Sequence, residues 1–598
     1  MRLERLRLRA YRQFIDEELR LDRRLTVIVG RNDTGKTGLL NRFFDQYIFE
    51  SVISSADKPH LPRHSRNRIA FELDWRVEPT DYKLSQFINA FGASPIEHIS
   101  LSFESSDTPA KMWRYAIDGR SIDTYESATP DGQPILREVF DPRNLFPRPI
   151  YISRAPAQGM FAVRLADVAP YPRNREQRLP SSAERSLMEF AKLPAAIRPI
   201  SNKRWPAREV GSKAPDLRLS DVETRLAEAS EHLTGLMRHW WTDPPNITVR
   251  IRLTGSEGFK RAAEADHQYT IVFEAIDASG LPLQGAGFRW FLTFLVEIEL
   301  LRRNPHPLLV LFDEPATPLH PSAQRMAARV MDSLSGVHQV IYSTHSPFMI
   351  DWNYPQRVRL LERDPSTRRT RISNTPWAGG SEGVWDPLRT AIGVTVGDVA
   401  VVGQSNILVE GITDQIIIAN AAAALAEHGN LILDIDNTTV IPYGEEPSLL
   451  HLFTRIRGVH GVVVVLTDND AQGKKVQARC RREKVRSLAI IDAPDTDASV
   501  EDIIGLRQYV DFVNRVYAGF TWFRPIDASR VEASKGPLSL GRFFNDYFDR
   551  EFDGQSFSKV AVAIFIADSM RNNLECVPQR LVDLLRALAQ ALSSHLPP

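Results

Sequence analysis

Cysteine is nearly missing from this 598-residue chain, in which only Cys480 and Cys576 occur. Two thiols cannot build a disulfide framework or a four-cysteine zinc site, and they suit a reducing cytosol, so a cytoplasmic location is expected. Net charge is missing as well: 74 basic and 74 acidic residues cancel, so any surface for nucleic acid has to be local. No apolar run approaches the ~20 residues that span a bilayer. The opening MRLERLRLRAYRQF lacks the continuous apolar core of a signal peptide, and no membrane association is expected. It reads instead as a strand, with Leu3, Leu6 and Leu8 set among arginines. There is no internal repeat and no long low-complexity tract. What remains is an ordinary globular composition, 43% hydrophobic and 25% charged. The length predicts about three to five domains.

The segment LTVIVGRNDTGKTGLLNRFF reads as strand, glycine loop and helix. Within it, Gly30, Asn32, Asp33, Thr34, Gly35, Lys36 and Thr37 form a phosphate-binding loop. Backbone N–H groups and a helix N-terminus cradle phosphates, Lys36 reaches the β and γ oxygens, and Thr37 ligates the Mg²⁺ that accompanies ATP. A second apolar strand, LLVLFDEP, delivers Asp313, suited to a water-mediated Mg²⁺ contact, and Glu314, suited to polarising an attacking water. A third, VIYSTHSPFMI, ends near His345, which in this company reads as a sensor of the γ-phosphate.

After a linker near residue 395 a new α/β pattern begins. The strand in SNILVEGITDQIII delivers Glu410, glycine follows at 411, and Asp414 stands in the opening turn of a helix. Some 50 residues on, VVVVLTDNDAQG runs a doubly buried strand into Asp468 and Asp470. Carboxylates two residues apart lie on one side of a strand. Like charges that close repel unless a cation neutralises them, and hydrolysis of a phosphodiester needs hard cations such as Mg²⁺ or Mn²⁺ held by carboxylates. An acidic helix start, Glu501 and Asp502 in DTDASVEDIIG, is a further candidate for holding metal. The helix KKVQARCRREKVR, residues 474 to 486, carries seven basic residues beside these carboxylates and reads as a contact to a phosphate backbone.

The G-x-N-x-x-G-K-T loop, the DEP followed by LHP at 319 to 321, and the STHSP strand resemble the ATPase heads of the ABC-type, SMC-like class. The E-G…D-x-D-x-x-G pattern resembles a Toprim domain. The combination is similar to the overcoming-lysogenisation-defect (OLD) nucleases, a family that includes the nuclease subunit of the Gabija antiphage system. The resemblance covers about 1–60, 280–360 and 400–550. It implies an α/β fold with an ATPase head (1–146 and 246–395), then a Toprim domain at 400–525 and a helical C-terminal segment at 526–598 that completes the nuclease domain. The interval 147–245, which the resemblance leaves unmatched, reads from its length and composition as an insertion, either a dimerisation arm or an ordinary helical subdomain. The resemblance also implies an ATP-regulated, metal-dependent endonuclease with two Mg²⁺ or Mn²⁺ ions, acting as a homodimer or larger on double-stranded DNA, with a helicase-like partner protein. Lys535, in EASKGPLSLGRFF, matches a lysine that the family places near the scissile phosphate, while Glu501 and Asp502 match its second-metal pair. A facing head would be met by LQGAGFRWFLTFL, 283 to 295, which lacks the serine usual at that contact. Zinc-bearing primases are excluded by the two cysteines. An RNA-cleaving effector and an ATP-driven DNA clamp remain alternatives.

Overall fold

A computed structural model describes residues 2–40, 70–76, 98–104, 112–117, 120–122, 149–152, 162–164, 190, 219–241, 246–255, 269–280, 283, 285–304, 306–377, 403–444, 446–458, 461–491, 496–552 and 554–593. The linker expected near 395 and most of the interval 147–245 lie outside the described residues. The chain divides into two compact units, residues 1–350 with 361–374, and residues 351–360 with 375–598.

The first unit begins with the expected strand, Arg2–Tyr11, hairpinned to Phe14–Arg20 and paired antiparallel with Ala70–Arg76. Leu3, Leu6 and Leu8 are all fully buried. Strict alternation would put Leu3 opposite to the other two; a register shift between Leu3 and Arg5 brings it back to the same face. Arg5, Arg7 and Arg9 point the other way, into ion pairs with Asp16, Glu18, Glu72 and Asp74. The parallel sheet of this unit places Leu25–Val29, Gln339–Thr344, Leu309–Asp313 and Pro149–Ile152 side by side in that order. The first three are buried along their whole length, as strands covered on both faces must be.

Two described elements within 147–245 pack on the head. Pro149–Ile152 closes one end of the described head sheet, paired with Leu309–Asp313. The helix Leu219–Trp240, expected in a dimerisation arm, packs on the head strand Thr248–Gly255. Its Thr234 hydroxyl accepts from Val249 N–H at 2.9 Å and its Ser230 hydroxyl from Ile251 N–H at 2.8 Å. The ring of Trp241, just past its end, meets Phe288 and Phe291. An amphipathic period reveals that a helix has a partner but not which one.

The second unit carries a four-stranded parallel sheet ordered Thr438–Pro442, Ser405–Val409, Val462–Thr467, Arg486–Ala489. The chain moves from its first strand to one side, then crosses to the other. The helix Ile412–Glu427 is apolar nearly all round and buried through Leu425, so it sits inside the unit. Helices Val500–Ile504, Leu506–Tyr517, Ala528–Ser534, Leu540–Glu551, Lys559–Asn572 and Gln579–Ser593 share one contiguous apolar core with it. The segment 526–598, expected to complete the domain at 400–525, shares its core. Residues 351–360 join it too: Asn353 donates to Ile435 O and Thr438 O, and Gln415 donates to Trp352 O.

Candidate functional site

In the first unit, the phosphate loop, Asp313 and Glu314, and Thr344 with His345 all leave the C-terminal ends of adjacent parallel strands, the edge at which such sheets bind ligands. The loop needs its glycines. Gly35 has φ of 98°, and a Cβ there would stand 1.9 Å from Gln13 Nε2. At Gly30 a Cβ would stand 2.7 Å from Leu361 O. Asn32 and Asp33 are exposed on the loop, and Asp33 is also left-handed with φ of 66°. Thr34 hydroxyl donates to Arg31 O at 2.9 Å, and its own carbonyl accepts from Thr370.

Lys36 is 5% exposed and donates to Gly30 O at 2.6 Å and Arg31 O at 3.1 Å. It also pairs with Glu314 Oε1 at 3.2 Å, while the other Glu314 oxygen lies 2.7 Å from His345 Nδ1. Thr37 hydroxyl donates to Asp313 Oδ1 at 3.2 Å. Sequence reasoning missed Ser343, whose hydroxyl donates to the same Asp313 oxygen at 2.6 Å and accepts from Glu314 N–H at 2.9 Å. Those contacts hold Glu314 at φ of 48°, an unusual value for a side-chain-bearing residue. A polar residue inside the apolar run QVIYST was the available signal. Gln324 was missed as well; it accepts from Ser346 and donates to Ala316 O. The stretch 283 to 295 forms the start of the helix Ala286–Arg302, with Gly285 at its N-cap; residue 284 lies outside the described residues.

The second unit gathers the acidic residues where its strand order reverses, between Ser405–Val409 and Val462–Thr467, the crevice that open α/β sheets use for ligands. Glu410 follows the first strand and Asp468 the second. Asp470 departs from the expected geometry: the strand ends at Thr467, and Asp470 is the N-cap of the helix Ala471–Glu483, accepting from Gly473 N–H at 2.7 Å. Alternation along a strand therefore does not relate it to Asp468. Its outer oxygen is held by Arg542 at 2.6 Å. Asp414 accepts from Gly411 N–H at 2.9 Å and Asp502 from Ser499 N–H at 3.0 Å, each closing the first turn of its helix.

Burial and mutual repulsion dominate the electrostatics. Desolvation, then Glu501, pushes Asp414 up to about 7. Desolvation, then Asp414, Glu410 and Glu501, pushes Asp468 up to about 10. Burial, then Asp470, raises Glu410. Two lysines oppose this charge. Lys535, expected beside the reacting phosphate, is committed to Asp502 at 3.1 Å. Lys559, which sequence reasoning missed, pairs with Glu501 at 3.1 Å and lowers the carboxyls of Glu410, Asp414 and Asp468. Its own affinity for a proton rises, because these carboxylates outweigh its burial. A lysine at the start of the apolar helix KVAVAIFIA, where the helix dipole disfavours a cation, was the signal.

The donor set suits a hard divalent cation. Glu410 Oε2 and Glu501 Oε2 are buried without a hydrogen-bond partner. Among the described residues, however, no three carboxylate, histidine or cysteine side chains already surround one point. Arg542 and Lys559 occupy Asp470 and Glu501, so a cation held there would have to displace these partners.

Residues 219–350 match the model of an AAA ATPase domain, and residues 1–50 that of an AAA domain. The chain is 28% identical to an uncharacterised protein of Methanocaldococcus jannaschii over 163 residues, 27% of this chain and 40% of the relative. It is 25% identical to an OLD nuclease of Thermus scotoductus over 388 residues, 61% of this chain and 63% of that one. The chain thus spans less than two thirds of either relative. Among solved structures, an SMC head domain from Thermotoga maritima is covered to 98% by 62% of this chain, at 12% identity and a TM-score of 0.32. A Pyrococcus furiosus SMC head with an extended coiled coil is covered to 96% by 62% of this chain, at 12% and 0.31. Likeness that loose leaves the fold to rest on the strand order and loop geometry above. The class is an α/β protein with an ATPase head. Its family matches show an ATPase domain. Among the described residues no helix is long and apolar enough to cross a membrane.

Proposed function

We propose that the chain is an ATP-regulated, divalent-metal-dependent endonuclease of the OLD type, its second unit a Toprim domain acting on double-stranded DNA in antiphage defence. One observation carries this reading: two buried carboxylate oxygens, on Glu410 and Glu501, lack partners inside an acidic crevice at a sheet's switch point. Buried polar atoms left unpaired are costly, which favours a cation as the missing partner.

Glu410, Asp468 and Asp470, with Asp414, Glu501 and Asp502 around them, would hold one or two Mg²⁺ or Mn²⁺ ions. When bound, such ions neutralise charge on the attacking and leaving oxygens and lower the pKa of a bound water. Lys559, released from Glu501, is the nearer ammonium to stabilise the developing phosphate charge, while Lys535 holds Asp502 in place. Lys474, Lys475, Arg481 and Arg482 are exposed on the neighbouring helix, Lys484 on the turn after it and Arg486 at the start of the next strand, where they can meet the backbone phosphates. In the head, Lys36, Thr37, Asp313, Glu314 and His345 would bind Mg²⁺-ATP, which acts as a conformational gate rather than as the engine of cleavage. A dimer of heads and a helicase-like partner belong to this proposal.

Plasmid, linear DNA and total tRNA, each with and without ATP in Mg²⁺ and in Mn²⁺, test it together with Glu410→Ala and Lys36→Ala. DNA cleavage lost in Glu410→Ala but altered only in its ATP response by Lys36→Ala is the expected result. Cleavage of tRNA alone would move the substrate to RNA. No cleavage of either by the unmodified protein would leave an ATP-driven clamp.

A further inference from the structure

Val409 stands opposite Pro442 in the parallel pairing of the second unit's first two strands. Just past these strand ends, Tyr443 N–H donates to Val409 O at 2.8 Å and Gly444 N–H donates to Glu410 O at 3.1 Å, which sets Tyr443 and Glu410 side by side at the edge of the sheet. Leu408, Ile441 and Tyr443 lie in one apolar cluster. The ring of Tyr443 packs in this cluster with Leu449, Phe453, Val476 and Cys480.

A phenylalanine would fill that space equally well. Tyr443 is only 3% exposed, and its hydroxyl has no hydrogen-bond partner. Beside it, Glu410 has an unpaired oxygen, and its charge is the foremost one acting on the phenol. One side chain offers a spare donor and its neighbour a spare acceptor, in a place where leaving either unmade is costly. Burial, followed by the charges of Glu410, Asp468 and Asp414, drives the phenol's pKa far above its usual range. It stays a neutral donor at any working pH.

We propose that Tyr443 is a positioning residue of the acidic centre, whose hydroxyl turns to donate to the Glu410 carboxylate when that carboxylate takes a divalent cation. The cation rests on the nuclease reading above; the side-by-side placement of Tyr443 and Glu410 does not. Outer-shell partners of this kind typically change metal affinity by about 10–100-fold.

The test titrates Mn²⁺ into the full-length protein, followed by electron paramagnetic resonance, for the unmodified chain, Tyr443→Phe and Glu410→Ala. Cleavage is followed against Mn²⁺ concentration in parallel. Tyr443→Phe should weaken Mn²⁺ binding about tenfold and shift the Mn²⁺ needed for half-maximal cleavage by the same factor. The rate at saturating Mn²⁺ should be nearly unchanged. In chelator its melting temperature should hold or rise, because the deleted hydroxyl had no partner. Unchanged Mn²⁺ affinity overturns the proposal, and a lower melting temperature with that affinity would mark Tyr443 as a packing residue alone. An unmodified protein that binds no Mn²⁺, or binding that survives Glu410→Ala, would instead bring down the metal-dependent reading itself.

Discussion

At the scale of single residues, buried charges are held by partners that differ in kind. Lys36 and Glu314 form a buried pair, each 5% exposed, with loop carbonyls and His345 completing their hydrogen bonds. Removing one member of such a pair leaves the other uncompensated, at a typical cost of about 3–5 kcal/mol. Lys36→Met should therefore lower the stability of the ATP-free head, and adding Glu314→Gln should recover much of the loss; chemical denaturation of the three variants checks this. Asp414 behaves oppositely. Burial raises its carboxyl to about 7, so the native state prefers the protonated form. The contribution is fully present below about pH 4, the ordinary aspartate value, and is lost as pH rises toward 7. Melting in chelator should fall over that window, and Asp414→Asn should flatten the fall. Mn²⁺ should restore stability most at the upper end, since it competes with those protons. A slope that is the same in Asp414→Asn would rule the assignment out.

At the scale of elements, several carboxylates expected to hold metal also build helix starts. Asp470 caps the helix Ala471–Glu483, a role worth about 1 kcal/mol, which serine or asparagine can also fill. Asp470→Ser should keep the stability that Asp470→Ala loses, while both lose cleavage; the difference separates capping from chemistry. Asp502 does more, accepting from Ser499 and from Leu540 N–H at 3.1 Å while pairing with Lys535. It ties the helix Val500–Ile504 to the start of Leu540–Glu551, so its replacement by alanine should destabilise the second unit more than that of Asp470. The basic run is one continuous surface on a helix whose Val476 and Cys480 face the core. Replacing Lys474, Lys475, Arg481 and Arg482 with alanine should weaken DNA binding. The logarithmic slope of affinity against salt should flatten by about 0.9 for each phosphate no longer neutralised. Binding unchanged across a salt titration would show this face to be merely solvated.

At the scale of the whole molecule, the two candidate sites lie in different units, and a ligand stabilises what it binds, by about 2.7 kcal/mol at a hundredfold excess over its dissociation constant. ATP should raise the melting temperature of the unmodified protein and not of Lys36→Ala, whereas Mn²⁺ should do so in Lys36→Ala and not in Glu410→Ala. Crossed effects, with Mn²⁺ stabilisation lost in Lys36→Ala, would contradict the assignment of each site to its own unit. The strands, the phosphate loop, Asp313 and the carboxylates of the acidic centre were legible in the order of residues alone, because a strand–glycine–helix turn and its terminal side chains are encoded within a dozen consecutive residues. That order could not assign the helix Leu219–Trp240 to the head rather than to an arm, since an apolar stripe does not name what covers it. Nor could it choose Lys559 over Lys535 beside the acidic crevice, bring Arg542 to Asp470 from 72 residues away, or set Tyr443 beside Glu410. Folding in three dimensions settled these, because the partners of a buried charge are chosen by chain closure and packing over distances at which no local pattern survives.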